Sequence, residues 1–277
     1  MTQPDGASDL AAFYSGRLVR AGQTAPVQPV LAPDYASEDL TALPAGMAGS
    51  SFGCGNPLSF AAIRAGETVL DLGCGAGLDL VLAGQRTGPE GRIIGIDSNT
   101  DMLARARANA DAAGMTWIEL HEGRVEALPI PDASIDWVIS NCVLNLSSDK
   151  AAAFREIRRV LRPGGRMLVS DLVADELPAW VMAHRDLYAA CIAGVVSEAR
   201  YMALAREAGL EAVEVVDRLA YDAGMLRVLV EQELPVALDA LAATFAVTRD
   251  ALLDRVSAEL AGQVVSIKLA AGRPAAG

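Results

Sequence analysis

The feature that most restricts the fold is a repeat of apolar run, glycine turn and amphipathic stretch that begins near Glu67 and ends near Asp171. It reads TVLDLG, a helix from Leu78 to Arg86, RIIGID, and a helix from Asn99 to Ala113 stopped by Gly114. TWIEL, IDWVISN, a helix from Ser148 to Leu161, the turn RPGG and RMLVSDL follow. Strands alternating with helices of this length predict βαβ units, because only a crossover helix returns the chain to start a parallel neighbour. The fold class is therefore α/β, with a Rossmann-like, doubly wound, mostly parallel sheet.

Either side of this core the pattern is weaker. An amphipathic piece from Leu10 to Val19 and scattered prolines (Pro26, Pro29, Pro33, Pro44, Pro57) suggest a helix and irregular chain that lids the core. After Asp171, helices are expected over Ala179 to Ala193 and Ala199 to Ala208, then a strand at EAVEVVD. The tail from Met225 reads as one or two helices and a final strand near Val264 to Leu269. Three parts result: an N-terminal segment 1–57, a core domain 58–220 and a small C-terminal appendage 221–277.

Charge and cysteine usage narrow the function. A net charge of -12 repels polyanions, so nucleic acid and anionic membranes are poor partners and a neutral or cationic small molecule is a better one. No apolar run reaches the ~18 residues needed to cross a bilayer, and the opening MTQPDGASDL has no basic or apolar leader, so the chain is read as cytoplasmic. Cys54, Cys74, Cys142 and Cys191 lie too far apart for a CxxC zinc site or a dense disulfide framework, and free thiols are expected.

A cofactor site is written at the strand ends. Gly73, Gly75 and Gly77 follow the strand that contains Asp71, and alternate glycines let backbone approach a ligand where any Cβ would collide. Dinucleotide folds want G-x-G-x-x-G, whereas the sixth position here is Leu78; G-x-G-x-G suits a nucleoside without pyrophosphate. Asp97, with Ser98 beside it, ends the second strand where a carboxylate can accept both ribose hydroxyls. The segment Gly123-Arg124-Val125-Glu126 follows the third strand, again at a carboxyl end.

With these motifs in place the chain resembles a class I S-adenosylmethionine-dependent methyltransferase over about Arg64 to Asp217. The resemblance implies that Asp71 and the glycine turn hold the methionine part of S-adenosylmethionine, Asp97 the ribose, and Val125 with Glu126 the adenine; Asn141 is also expected to contact it. Many relatives carry Asp where Arg124 stands.

Two loop motifs sharpen the resemblance. Cys54-Gly-Asn-Pro and Ser140-Asn-Cys142-Val-x-Asn-Leu-Ser, with Asp149-Lys150, resemble arsenite methyltransferases, as does the end Val265-Ser266-x-Lys268-x-Ala270. By that resemblance Cys54, Cys142 and Cys191 hold arsenic(III) as three thiolates, with arsenite or its thiol adducts as the small-molecule substrate. Glutathione or a thioredoxin-type partner would be the thiol reductant. The chemistry agrees, because soft trivalent arsenic prefers thiolate sulfur. Its lone pair can attack a methyl group with no proton to remove, so no general base is needed. Cys74, inside the glycine turn, is assigned to packing, and His121 and His184 adjoin no acid/base motif. Relatives often carry a further cysteine before the core motif, and none precedes Ser51 here. Two other readings stay open: methylation of a small carbon or oxygen acceptor, and a thiol-based metalloid-binding protein without turnover.

Overall fold

The computed structural model describes residues 14–16, 35, 43–44, 47, 55–182, 194–233 and 237–277. In chain order its elements are β1 (Thr68–Leu72), α1 (Leu78–Thr87), β2 (Arg92–Asp97), α2 (Thr100–Ala112), β3 (Glu119–Glu122), β4 (Ile135–Asn141), α3 (Lys150–Val160) and β5 (Leu161–Val173). They continue with α4 (Ala179–Met182), α5 (Glu198–Glu207), β6 (Glu211–Ala220), α6 (Ala223–Glu233), α7 (Ala237–Thr244), α8 (Arg249–Leu260) and β7 (Val265–Gly272).

The sheet has seven strands in the order β3-β2-β1-β4-β5-β7-β6. Pairing is parallel from β3 through β5, and β7 runs antiparallel to both β5 and β6. The chain starts at the centre, winds out to β3, then returns to build the other half from β4. That reversal between β1 and β4 leaves a crevice at their carboxyl ends, where open α/β sheets bind ligands.

The central strands are apolar on both faces because both are covered. Val69, Ile93 and Ile139 pack with Leu78, Val81 and Leu82 of α1 and Ala110 of α2. On the opposite face Leu70, Ile94 and Val138 pack with Phe154 and Ile157 of α3 and Tyr201 and Leu204 of α5. Tyr201 meets Phe154 edge to face at 5.3 Å.

Several expected boundaries move for local reasons. α2 is capped by Asn99, whose side chain accepts from Asp101 and Met102 N–H. The cap of α3 is Asp149, accepting from Ala152 N–H, so the helix begins at Lys150 rather than at Ser148. β3 begins at Glu119 because the carbonyl of Ile118 is taken by the Arg107 guanidinium and its N–H closes a turn onto Met115. RPGG lies within β5, whose pairing to β4 shifts register between Ile135 and Trp137, so the expected turn is a bulge on a continuing strand. Of the helix expected over Ala179 to Ala193, residues 183–193 lie outside the described residues, as does most of the N-terminal segment.

Among the described residues the tail holds three helices rather than one or two. Leu226, Leu229 and Val230 of α6, Leu238 and Leu241 of α7 and Leu252, Leu253 and Val256 of α8 form a separate apolar cluster. It reaches the end of β5 at Leu172 and contains Cys142, Val181 and Val195. α4 is anchored there by Trp180, which meets Phe245 edge to face at 5.7 Å and donates to Glu259. β7 enters the sheet between β5 and β6, so the sequence boundary at 220/221 falls between strands that are hydrogen-bonded to each other.

Candidate active site

The glycine turn is shaped by positive φ. Gly73, Gly75 and Gly77 adopt φ of +66°, +50° and +87°, which L side chains rarely take. A Cβ on Gly73 would lie 2.3 Å from a Val143 methyl carbon, so the turn after β1 and the loop after β4 touch there. Among the described residues, a Cβ on Gly75 would meet nothing within 4 Å. Cys74 points the other way: its sulfur lies 2.8 Å from where a Gly95 Cβ would be, and it is a buried free thiol, in line with packing.

Asp97 braces this turn. Its Oδ2 accepts from Gly75 N–H and its Oδ1 from Asn99 N–H, both at 2.9 Å. The carboxylate thus ties the glycine turn to the start of α2, and it stands half-buried at the end of β2 beside exposed Ser98. Ser15, one of the few described N-terminal residues, donates to Asp101 at 2.6 Å, bringing the first segment to this rim.

Three carboxylates converge, since the charges of Asp79 and Asp97 both act on Asp71. Burial, then the charges of Asp79 and Asp97, push the Asp71 carboxyl well above the usual range. Burial raises Asp79 to about 6, against hydrogen bonds from Tyr35 and Asn141 and the charge of Arg86 that hold it down. Asp97 is raised by burial as well. Like charges pushed together out of water favour a cationic occupant, which would relieve all three.

Tyr35 and Asp79 were not singled out in the sequence. The Tyr35 hydroxyl donates to Asp79 Oδ1 at 2.6 Å, and Asn141 Nδ2 reaches Tyr35 Oη (3.2 Å), Asp79 Oδ2 (3.3 Å) and the carbonyl of Gly55 (2.6 Å). A first-turn acid after the glycine motif was visible at Asp79, yet it reads as an ordinary partner of the helix dipole.

Beyond β2, Val125 is buried. Glu126 accepts from Ser147 Oγ at 2.6 Å and lies 3.4 Å from the Arg124 guanidinium. His121 sits exposed on outer strand β3, away from the crevice.

Of the three expected thiolates, Cys54 and Cys191 lie outside the described residues. Cys142 follows β4 directly, is buried, and takes φ of +58°. It is disulfide-bonded, correcting the expectation that all four cysteines are free thiols: its sulfur has another within bonding reach in the fold. Its N–H donates to the carbonyl of Ser170 at 2.8 Å. Gly55, the neighbour of Cys54, packs on that same serine, because a Cβ there would lie 2.2 Å from Ser170 Oγ. Among the described residues no group of three or more His, Cys, Asp or Glu is placed to hold a metal ion.

This strand order, with a glycine turn ending β1 and a carboxylate ending β2, is that of the class I methyltransferase fold. The chain belongs to the methyltransferase-domain family, whose model matches residues 63–209. It is 42% identical over 185 residues to an arsenite methyltransferase of Halobacterium salinarum, covering 66% of this chain and 47% of that protein. It is 35% identical over 174 residues to an arsenite methyltransferase of Aquipseudomonas alcaligenes, covering 60% and 50%. The chain thus spans about half the length of these curated relatives. Among solved structures, an arsenic(III) S-adenosylmethionine methyltransferase from Chlamydomonas reinhardtii superposes with a TM-score of 0.67 at 28% identity, covering 90% of this chain and 75% of that one.

Proposed function

We propose that the chain methylates trivalent arsenic, with Cys54, Cys142 and Cys191 holding arsenite or methylarsenite and S-adenosylmethionine as methyl donor, in the service of arsenic detoxification in the cytoplasm. The observation that carries this reading is the meeting of the two cysteine loops. Asn141, which precedes Cys142, hydrogen-bonds the carbonyl of Gly55, which follows Cys54, and both loops rest on Ser170. Val195, a few residues after Cys191, packs in the same cluster as Cys142.

S-adenosylmethionine supplies, when bound, a methyl group on a positively charged sulfur. Its fit rests on the crevice itself: the crowded carboxyls of Asp71 and Asp79, held up by burial beside the glycine turn, are suited to a cationic amino acid end that restores their ionised forms. Asp97, which accepts from the backbone N–H groups of Gly75 and Asn99, keeps lone pairs for ribose hydroxyls, with Ser98 alongside. Val125 offers an apolar surface to adenine, and Glu126 an acceptor already oriented by Ser147.

The residues around arsenic act by holding it. Three thiolates leave its lone pair exposed, and alignment with the methyl group can supply about 7 to 11 kcal/mol. A disulfide at Cys142 must first be opened: two thiols of glutathione or thioredoxin type give up two electrons and two protons and leave as their own disulfide.

The test is to incubate the purified chain with S-adenosylmethionine, arsenite and a thiol reductant, and to identify arsenic species by mass spectrometry. Methylated arsenic that disappears when Cys54, Cys142 or Cys191 is replaced by Ser supports the reading. Full activity in all three variants removes it. Arsenite binding with no S-adenosylhomocysteine formed selects a binding protein, and turnover of a carbon or oxygen acceptor that ignores thiol blocking selects another methyltransferase.

A further inference from the structure

The buried carboxylate Asp171 lies one residue beyond the serine that holds Cys142, and its surroundings are unlike those of the other buried acids. Asp171 is 1% exposed and receives four hydrogen-bond donors. Two come from Asn145, whose N–H reaches Oδ2 at 3.1 Å and whose Nδ2 reaches Oδ1 at 2.7 Å. The Tyr201 hydroxyl donates to Oδ2 at 2.9 Å, and the N–H of Leu172 to Oδ1 at 3.0 Å.

The loop is thereby clamped at both ends on consecutive residues of β5. Cys142 N–H is held by the carbonyl of Ser170, and Asn145 by the side chain of Asp171. Lys150 closes the far side, with Nζ donating to the carbonyls of Asn145 (3.0 Å) and Ser147 (3.2 Å). Between the clamps Cys142 adopts φ of +58°, a conformation that a residue with a Cβ keeps only when its surroundings impose it. An apolar residue at 171 would fill the same space without the desolvation that a buried carboxylate carries. What a carboxylate adds is two further bonds to the cysteine loop.

We infer that Asp171, oriented by Tyr201, is a positioning residue that holds Cys142 in its left-handed backbone conformation and so fixes how its sulfur is presented to the acceptor. The inference rests on the arsenic reading for the identity of the acceptor. Its geometric content does not.

The experiment uses the full chain reduced with dithiothreitol, as wild type and as Asp171→Asn and Tyr201→Phe, the latter keeping the ring against Phe154 and removing one hydroxyl. Alkylation of each cysteine by iodoacetamide is followed by peptide mass spectrometry, together with dissociation constants for arsenite and S-adenosylmethionine. Loosening the clamp should speed alkylation of Cys142 and weaken arsenite binding by about tenfold, the effect of losing one hydrogen bond to a charged group. Buried Cys74 should keep its wild-type rate, and S-adenosylmethionine affinity should stay unchanged. If Asp171→Asn does not fold, Tyr201→Phe carries the test. Unchanged Cys142 protection, or equal acceleration at Cys142 and Cys74, overturns the inference. Cys142 selectively released in a protein that never binds arsenite upholds it and removes the arsenic reading instead.

Discussion

Replacing Gly73 by Ala tests whether the cofactor turn and the cysteine loop form one unit. Two penalties add at this position. The backbone sits at φ of +66°, which costs a residue with a Cβ about 1 to 2 kcal/mol. The new methyl carbon would then lie 2.3 and 2.6 Å from the two methyls of Val143 and 2.9 Å from its Cβ. No rotamer of Val143 moves its own Cβ, so the loop backbone must shift, and overpacking of this kind costs about 1 to 3 kcal/mol. The sum is about 2 to 5 kcal/mol out of a folding stability of about 5 to 15 kcal/mol.

A urea titration reads the loss as a lower midpoint at unchanged slope. The decisive arm is the double variant Gly73→Ala, Val143→Ala, which removes the two closest contacts and leaves the φ penalty and the 2.9 Å approach to the Cβ at 143. It should recover much of the loss, and the coupling between the two sites should be of the order of 1 kcal/mol. Because Val143 adjoins Cys142, Gly73→Ala should also weaken both S-adenosylmethionine and arsenite binding. Equal destabilisation with Val or Ala at 143 would refute the contact.

Other expectations follow from the carboxylates. Asp79, raised to about 6 in the free protein, is returned toward its ionised form by a cationic ligand, so the complex holds fewer protons than the free chain. Affinity for S-adenosylmethionine should therefore fall as pH drops through about 6; calorimetry across pH 5 to 8 showing no change would contradict the charge argument. Asp97→Asn leaves Asn99 and Gly75 N–H without a charged acceptor, and should weaken S-adenosylmethionine by about tenfold or more in equilibrium binding while Asp101→Asn, on the next turn, does not. Tyr35→Phe removes the donor to Asp79 and should raise the pH below which affinity falls, a shift the same titration detects.

The sequence carried the sheet because RIIGID and IDWVISN are apolar blocks bounded by glycine and helix signals, and both strands have the expected ends. The place of Asp97 at the end of β2 was readable for a similar reason, since it closes the apolar block RIIGID. β7 was expected as a strand, but nothing in its residues says that it inserts between β5 and β6, as pairing partners are a property of the whole sheet. Tyr35 is hidden because its role depends on contact with Asp79 and Asn141, far away in the chain. Asp171 looked like one more strand-end residue, and only the fold brings Asn145 and Tyr201 onto it. The disulfide at Cys142 was out of reach too, because spacing alone does not decide which sulfurs meet.

The most direct measurement is arsenic X-ray absorption on the reduced chain with one equivalent of arsenite. Sulfur alone should surround the arsenic, with one sulfur neighbour lost in each of Cys54→Ser, Cys142→Ser and Cys191→Ser. A spectrum dominated by oxygen neighbours, or one unchanged by Cys142→Ser, would contradict the account.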